Sequence, residues 1–64
     1  MGKIRRGGYI FITWLGDHEP KHVHVFKSGV EILKWDLESG LVMRGKFNRK
    51  VIQIIEQLVV EGVL

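Results

Sequence analysis

Short apolar segments separated by polar turns recur over residues 9–44, which is a pattern of β-strands. Residues 9–14 are apolar on both faces, as in a well-covered strand, and residues 22–26 alternate with the period of two of a strand with one buried face. These segments are rich in β-branched and aromatic residues. Short stretches with glycine, serine or aspartate separate them, and these residues favour turns. The predicted strands are residues 9–14, 22–26, 30–35 and a short segment at 41–44. This spacing predicts an antiparallel meander of three to four strands.

The apolar period changes to that of a helix after Asn48. Asn48 is a good N-cap, and Gly62, about four turns later, is a good residue for the position just past a helix C-terminus. The apolar positions between them follow the i, i+3, i+4 spacing of one helix face. They are Val51, Ile52, Ile54, Ile55, Leu58 and Val59. We therefore expect a C-terminal helix over residues 48–61 that packs on one face of the sheet, which makes the fold class α+β.

The chain has 64 residues, which is the length of a single domain. We expect residues 1–8 to form a basic arm, residues 9–44 the antiparallel strands and residues 48–61 the helix. A chain this short buries only about 60% of the surface that its unfolded state exposes, so its core is small. Association with another chain, as a homo- or hetero-oligomer, is therefore expected.

Composition narrows the classes of partner and of site. Ten Lys and Arg against seven Asp and Glu give a net charge of +3, which suits an anionic partner such as RNA, DNA or an acidic protein. Cysteine is absent from the sequence, which excludes disulfides and thiolate metal sites. No apolar run approaches the roughly 20 residues of a membrane-spanning helix, and the N-terminal residues lack the pattern of an export signal. The expectation is a cytoplasmic protein with no membrane partner.

All three histidines lie in the segment D-H-E-P-K-H-V-H-V at residues 17–25. His22 and His24 are two residues apart in a predicted strand, so they project from the same face at a spacing of roughly 6.6 Å along the chain. The preceding loop can bring His18 and Asp17 back towards them. This segment is therefore the candidate functional site.

Two kinds of chemistry fit this cluster, and a polar strand edge without a function is the third interpretation. The first is a site for Zn²⁺ or another first-row divalent ion, which takes imidazole and carboxylate ligands. Its metal ligands would be His18, His22, His24 and Asp17. The second is metal-free cleavage of a phosphodiester, in which imidazoles act as general acid and base and Lys21 neutralises phosphate charge. Its catalytic residues would be His22, His24 and His18.

A second polar feature is the basic stretch R-G-K-F-N-R-K at residues 44–50. Cations at a helix N-terminus oppose the helix dipole, at a cost of about 0.3–1 kcal/mol each. A bound anion would offset that cost, so the stretch is a candidate site for phosphate groups. The candidate nucleic-acid- or anion-binding residues are Arg44, Lys46, Arg49, Lys50 and Lys21.

Three strings of this sequence, at residues 17–25, 36–40 and 45–47, resemble the small bacterial domain-of-unknown-function family 4160. They read D-H-E-P-K-H-V-H-V, D-L-E-S-G and G-K-F. The family pattern is roughly N/G-D-H-x-P-P-H-x-H-V, then D-[IL]-x-[ST]-G, then G-x-[LF]-P-x-[RK]. Two departures are Lys21, where a second proline is usual, and Asn48, where a proline often begins the helix. The polar positions that match the family are Asp17, His18, His22, His24, Lys46 and Arg49.

The resemblance adds a biological context that composition and spacing do not supply. Members of the family are often encoded beside another small protein, as in a toxin–antitoxin pair, which implies a small cognate partner protein and a toxin or regulator role. The hypothesis is therefore a toxin–antitoxin-type protein that acts on or binds nucleic acid, with ribonuclease-like activity as its catalytic form. The alternatives are a non-catalytic binding module for a protein or nucleic acid, and a zinc-binding regulatory or structural domain.

Overall fold

A computed structural model describes residues 2–13 and 21–64 of the protein. Within these residues the architecture is α+β, with a five-stranded antiparallel sheet in the order β1-β2-β3-β4-β5 followed by one helix. Consecutive strands are neighbours throughout, so the sheet is the meander that the sequence predicts. The elements are β1 (Gly2–Arg6), β2 (Tyr9–Thr13), β3 (His22–Lys27), β4 (Val30–Asp36), β5 (Leu41–Gly45) and α1 (Arg49–Val60).

The sheet has one strand more than the three to four that the sequence predicts. Residues 2–6 of the predicted basic arm form β1, which pairs with β2 along its whole length. Gly7 and Gly8 join the two strands, and both have positive φ, 62° and 84°, as a tight two-residue hairpin requires. Ile4 is the one aliphatic side chain in a strand of glycine, lysine and arginine. The apolar alternation of β1 is therefore too weak to predict a strand.

The helix α1 is 12 residues long, one residue shorter at each end than the predicted range 48–61. Its N-cap is Asn48, whose side-chain oxygen accepts a hydrogen bond from the backbone N–H of Val51 at 3.2 Å. Gly62 follows the helix with a φ of 80°, a left-handed conformation that suits glycine just past a helix C-terminus. No helix in the described residues is long and apolar enough to cross a bilayer.

The core lies between α1 and one face of the sheet. Alternate residues of β2, β3 and β4 and the predicted stripe of α1 meet there, and many of them are fully buried. Burial of one such aliphatic or aromatic side chain stabilises the fold by about 1.5–3 kcal/mol. The buried residues are Tyr9, Phe11, Val23, Val25, Leu33, Trp35, Val51, Ile52, Ile55 and Leu58. Val59, which the stripe includes, is 47% exposed, so the contact face of the helix is narrower than predicted.

The other side of the sheet, opposite α1, is called the open face here. Strand alternation sends every second side chain of the central strands to it. Ile10, Ile12, His22, His24 and Phe26 lie there and are half-buried. The fold thus uses the valines of β3 for the core and presents the two histidines of the same strand on the opposite side.

Candidate functional site on the open face

His22 and His24 stand side by side on β3. Their ring centroids are 4.9 Å apart, and the ring planes make an angle of 77°, an edge-to-face arrangement. Two imidazoles at this separation can contact one small group, such as a phosphate, from adjacent directions. The period of two in the sequence is the reason they share a face.

His24 is paired with a carboxylate that sequence reasoning missed. Its Nδ1–H donates to Glu31 Oε1 at 2.7 Å, and the two side chains are only 18% and 25% exposed. Glu31 lies opposite Phe26 on β4, two positions along the same face from His24. A carboxylate on Nδ1 fixes the orientation of the ring and its tautomer, so that the neutral ring carries its lone pair on Nε2. The turn at Ser28 and Gly29 is the signal that could have revealed this pair, because it sets the register of β3 against β4.

His22 lies directly opposite a second carboxylate, Asp36, on β4. Asp36 Oδ1 accepts hydrogen bonds from the backbone N–H groups of Glu38 at 2.8 Å and Ser39 at 3.0 Å. The pKa of Asp36 is lowered, chiefly by the Ser39 N–H, while the positive charge of His22 acts in the same direction and desolvation opposes it. Asp36 is therefore held ionised beside His22, where its charge attracts the protonated imidazole.

The two longest motif segments meet at the start of β3. The backbone N–H of Lys21 donates to Glu38 Oε2 at 2.7 Å, and the backbone N–H of Leu37 donates to the Lys21 carbonyl at 2.9 Å. These bonds tie the end of the D-H-E-P-K-H-V-H-V segment to the D-L-E-S-G turn. A polar turn distant in sequence thus helps to position the first histidine of β3.

A line of residues crosses all five strands at the level of His24. The Cα register pairs each member with the next, and in an antiparallel sheet such partners share a face. This cross-strand row consists, in order, of Lys3, Ile12, His24, Lys34 and Arg44. Neighbouring strands lie about 4.8 Å apart, so the row spans roughly 19 Å from end to end. It places three side chains of permanent positive charge in one line with the imidazole.

A parallel line lies beside the cross-strand row. It runs from Arg5 through Ile10 and Phe26 to Glu31. Ile10 and Ile12 lie between the cations of β1 and the histidines of β3, and Phe26 extends this apolar surface along β3. The open face therefore combines cationic groups at its edges with apolar side chains and imidazoles at its centre.

The structure places the other predicted anion-binding cations away from this row. Lys46 lies in the loop after β5, and Arg49 and Lys50 lie in the first turn of α1, which contains no acidic residue. Lys21 is exposed and immediately precedes β3. Arg44 alone of the predicted anion-binding residues joins the row, and Lys3 and Lys34 are members that the sequence did not single out.

The predicted ligands Asp17 and His18 lie outside the described residues. Among residues 2–13 and 21–64, no group of three or more His, Asp or Glu side chains is placed to hold a metal ion. His22 and His24 supply two imidazoles, and a third ligand in the proposed metal site would have to come from residues 17 or 18.

Fold and site together define a small α+β domain that carries paired imidazoles and carboxylates on a cationic open sheet face. The model of the family described as Domain of unknown function (DUF4160) matches residues 7–62, so the chain belongs to that family. The family resemblance identified in the sequence is thereby confirmed. No curated protein and no solved structure matches the chain.

Proposed function

We propose that the domain binds single-stranded RNA across its open face and cleaves it with His22 and His24 as an acid–base pair. One observation carries the proposal: the ring centroids of the two imidazoles lie 4.9 Å apart on a face where Lys3, Lys34 and Arg44 are in register with His24. The cations suit the phosphate backbone, and the imidazoles suit proton transfer at one phosphate between them.

The surface favours a single strand as the ligand. Flat sheet faces bind single-stranded nucleic acid by stacking bases on aromatic side chains while cations follow the backbone. Phe26 and Ile10 provide an apolar surface beside the row, and Ile12 continues this surface within the row. A base seated on Phe26 would place its phosphate towards Lys34 and His24.

The carboxylates support opposite roles for the two histidines. Glu31 accepts from His24 Nδ1–H, so Nε2 of His24 takes the proton from a ribose 2′-hydroxyl as that oxygen forms a bond to phosphorus. The bond from phosphorus to the 5′ oxygen breaks as this oxygen receives a proton from His22, which lies opposite the ionised Asp36. The products are a 2′,3′-cyclic phosphate and a 5′-hydroxyl, with His24 left protonated and His22 neutral. Lys34 neutralises charge on the phosphate during the reaction.

The test is cleavage of a labelled RNA oligonucleotide by the wild type, His22→Ala and His24→Ala. General acid–base groups contribute about 10²–10⁴-fold, so each variant is expected to lose at least about 10² in rate. Gln53→Ala, on the exposed face of α1, is the matched control and should keep full activity. DNA of the same sequence should stay intact because it lacks the 2′-hydroxyl. Undiminished cleavage in both histidine variants, with unchanged circular dichroism, would refute the acid–base proposal.

Metal-assisted cleavage is a second candidate, and the contact between Glu31 and His24 favours it. Metal-ligating histidines commonly donate their other ring N–H to a carboxylate, which is the arrangement of this pair. Zn²⁺ or another first-row divalent ion would be held by His22 and His24 together with His18 and Asp17. Loss of cleavage with a chelator, a stoichiometric metal in elemental analysis and a melting temperature raised by zinc would favour this version. A structural or regulatory zinc site would give the last two results without cleavage.

Binding without catalysis is the remaining candidate, favoured by the exposed cations that lie off the row. Such a module would keep salt-sensitive binding to nucleic acid in both histidine variants and lose it when Arg49 and Lys50 are neutralised. The toxin–antitoxin role and the small cognate partner protein are part of the proposal through the family resemblance. Action in the cytoplasm is part of it through the composition of the chain. Growth arrest on expression of the wild type, relieved in His24→Ala, would support the toxin role.

A further inference from the structure

The two edges of the sheet differ in how they are protected. β1 and β5 are the edge strands, and each pairs with only one described strand. β1 carries Lys3, Arg5 and Arg6, and charged side chains of this kind discourage the addition of another strand. Arg6 also forms an ion pair with Glu61 at 2.7 Å, which connects β1 to the residue after α1. The charges on the β1 edge thus disfavour the addition of another strand there.

The β5 edge carries one cation, Arg44, and exposed apolar side chains beside it. Leu41 is 64% exposed and Met43 is 40% exposed, and Phe47, shortly after the strand, is 64% exposed. Backbone N–H and C=O groups on the outer side of an edge strand are able to pair with an additional strand. An apolar edge strand of this kind is a common docking site for an extended segment of another protein.

The charge around β5 indicates what kind of segment fits. Residues 41–55 contain no Asp or Glu but include Arg44, Lys46, Arg49 and Lys50. Pairing of β5 with β5 of a second copy would bring two such cationic stretches together, which is unfavourable. A segment with acidic side chains would instead be attracted, and would also offset the cations at the N-terminus of α1.

We propose that the β5 edge binds an extended, acidic segment of a different protein, which adds to the sheet as a sixth strand. Main-chain hydrogen bonds to β5 supply the pairing, and apolar side chains of the segment cover Leu41 and Met43. Its acidic side chains face the cations of residues 44–50. A groove lined by Ile32, Gly45, Lys46, Phe47 and Asn48 at the end of β5 receives a further side chain. This interaction uses neither histidine, although Arg44 also belongs to the cross-strand row.

The experiment measures binding of a fluorescein-labelled peptide of alternating glutamate and valine to the full chain. A peptide of alternating lysine and valine tests charge, and the acidic peptide with a central proline tests main-chain pairing, because proline lacks the N–H. The acidic peptide is expected to bind and to shift the backbone amide resonances of β5, and both control peptides are expected to bind about tenfold more weakly or not at all.

Met43→Lys places a guarding charge on the edge and is expected to weaken binding of the acidic peptide by about tenfold or more. Val30→Lys is the matched control, since Val30 is 62% exposed on β4 and lies away from β5. His24→Ala should bind the peptide like the wild type, so failure of the RNA proposal would leave this one standing. No binding at about 1 mM peptide, equal binding of the acidic and basic peptides, amide shifts confined to the open face, or a dimer of the wild type that Met43→Lys dissociates would each overturn the proposal.

Discussion

Substitution of Lys34 by glutamine removes one positive charge from the cross-strand row while keeping a side chain of similar length. Lys34 lies between His24 and Arg44 in the register, and it is half-buried on the open face. If RNA crosses this face, the Lys34 ammonium is one of the groups that neutralise phosphates. Its removal should then change how strongly binding depends on salt, and not only the affinity.

The expected size of the effect follows from the number of cations in the row. Each phosphate neutralised on a single strand contributes about −0.7 to the slope of log K against log salt. Lys3, Lys34 and Arg44 together give a slope of about −2, and Lys34→Gln reduces it to about −1.4. Between about 50 and 200 mM salt, the affinity should fall about 18-fold for the wild type and about 7-fold for the variant.

The assay is fluorescence anisotropy with a labelled 2′-O-methyl RNA, which cannot be cleaved because its 2′ oxygen is blocked. Lys27→Gln is the matched control: it removes the same charge, but Lys27 lies at the end of β3 with its Nζ 5.5 Å from the Tyr9 ring centroid, away from the row. The control should keep the wild-type slope. An unchanged slope in Lys34→Gln, or an equal reduction in Lys27→Gln, would refute the assignment of the row to the phosphate backbone.

Three further predictions concern the scaffold that holds the site. Gly45→Ala should unfold at a clearly lower urea concentration than Gly29→Ala, although both glycines have positive φ. A Cβ at Gly45 would lie 2.3 Å from the Ile32 carbonyl oxygen, whereas a Cβ at Gly29 would meet nothing within 4 Å. Equal urea midpoints for the two variants would contradict this. Leu58→Ala should lower the free energy of unfolding by about 2–5 kcal/mol, since Leu58 is 0% exposed. Val59→Ala, one residue later, should lower it by less than about 1 kcal/mol, because Val59 is 47% exposed. Similar losses in the two variants would contradict the packing of α1 on the sheet. Asp36→Asn should be less stable than the wild type near neutral pH, and the difference in stability should shrink in acid. The pKa of Asp36 is lowered in the folded state, so the carboxylate stabilises the fold at pH values above its ordinary pKa. This stabilisation is lost as the pH falls through the folded-state pKa. Urea midpoints at several pH values measure this, and a difference that does not change with pH would contradict it.

The sequence predicts most of the fold because β2 and β4 are rich in β-branched and aromatic residues, β3 alternates with a period of two, and α1 has a strong helical period. The sequence does not predict β1, because Ile4 is its one apolar side chain apart from glycine and cations surround it. The strand is recognised only from its pairing with β2. The helical period places Val59 in the buried stripe, because the period alone does not show how wide a contact the sheet provides. The N-cap at Asn48, by contrast, is local chemistry and is readable from the sequence.

The candidate site is only partly predictable for a different reason. Alternation places His22 and His24 on one face, but the partners across the sheet depend on irregularities in the register. Without the register shift between Val25 and Phe26, the hairpin of β3 and β4 would pair His24 with Leu33. Without the register shift between Lys34 and Trp35, the hairpin of β4 and β5 would pair Lys34 with Met43. Two β-bulges therefore create the cross-strand row, and the local sequence does not predict either bulge.

The most direct test of the account is to locate bound RNA by the NMR resonances of the protein. Titration with a non-cleavable 2′-O-methyl RNA should shift the imidazole resonances of His22 and His24 and the backbone amides of Ile12, Lys34 and Arg44 together, with one shared affinity. The exposed residues of α1, including Gln53, should stay unchanged. Shifts confined to α1, or none on the open face at saturating RNA, would contradict the claim that this face is the nucleic-acid site.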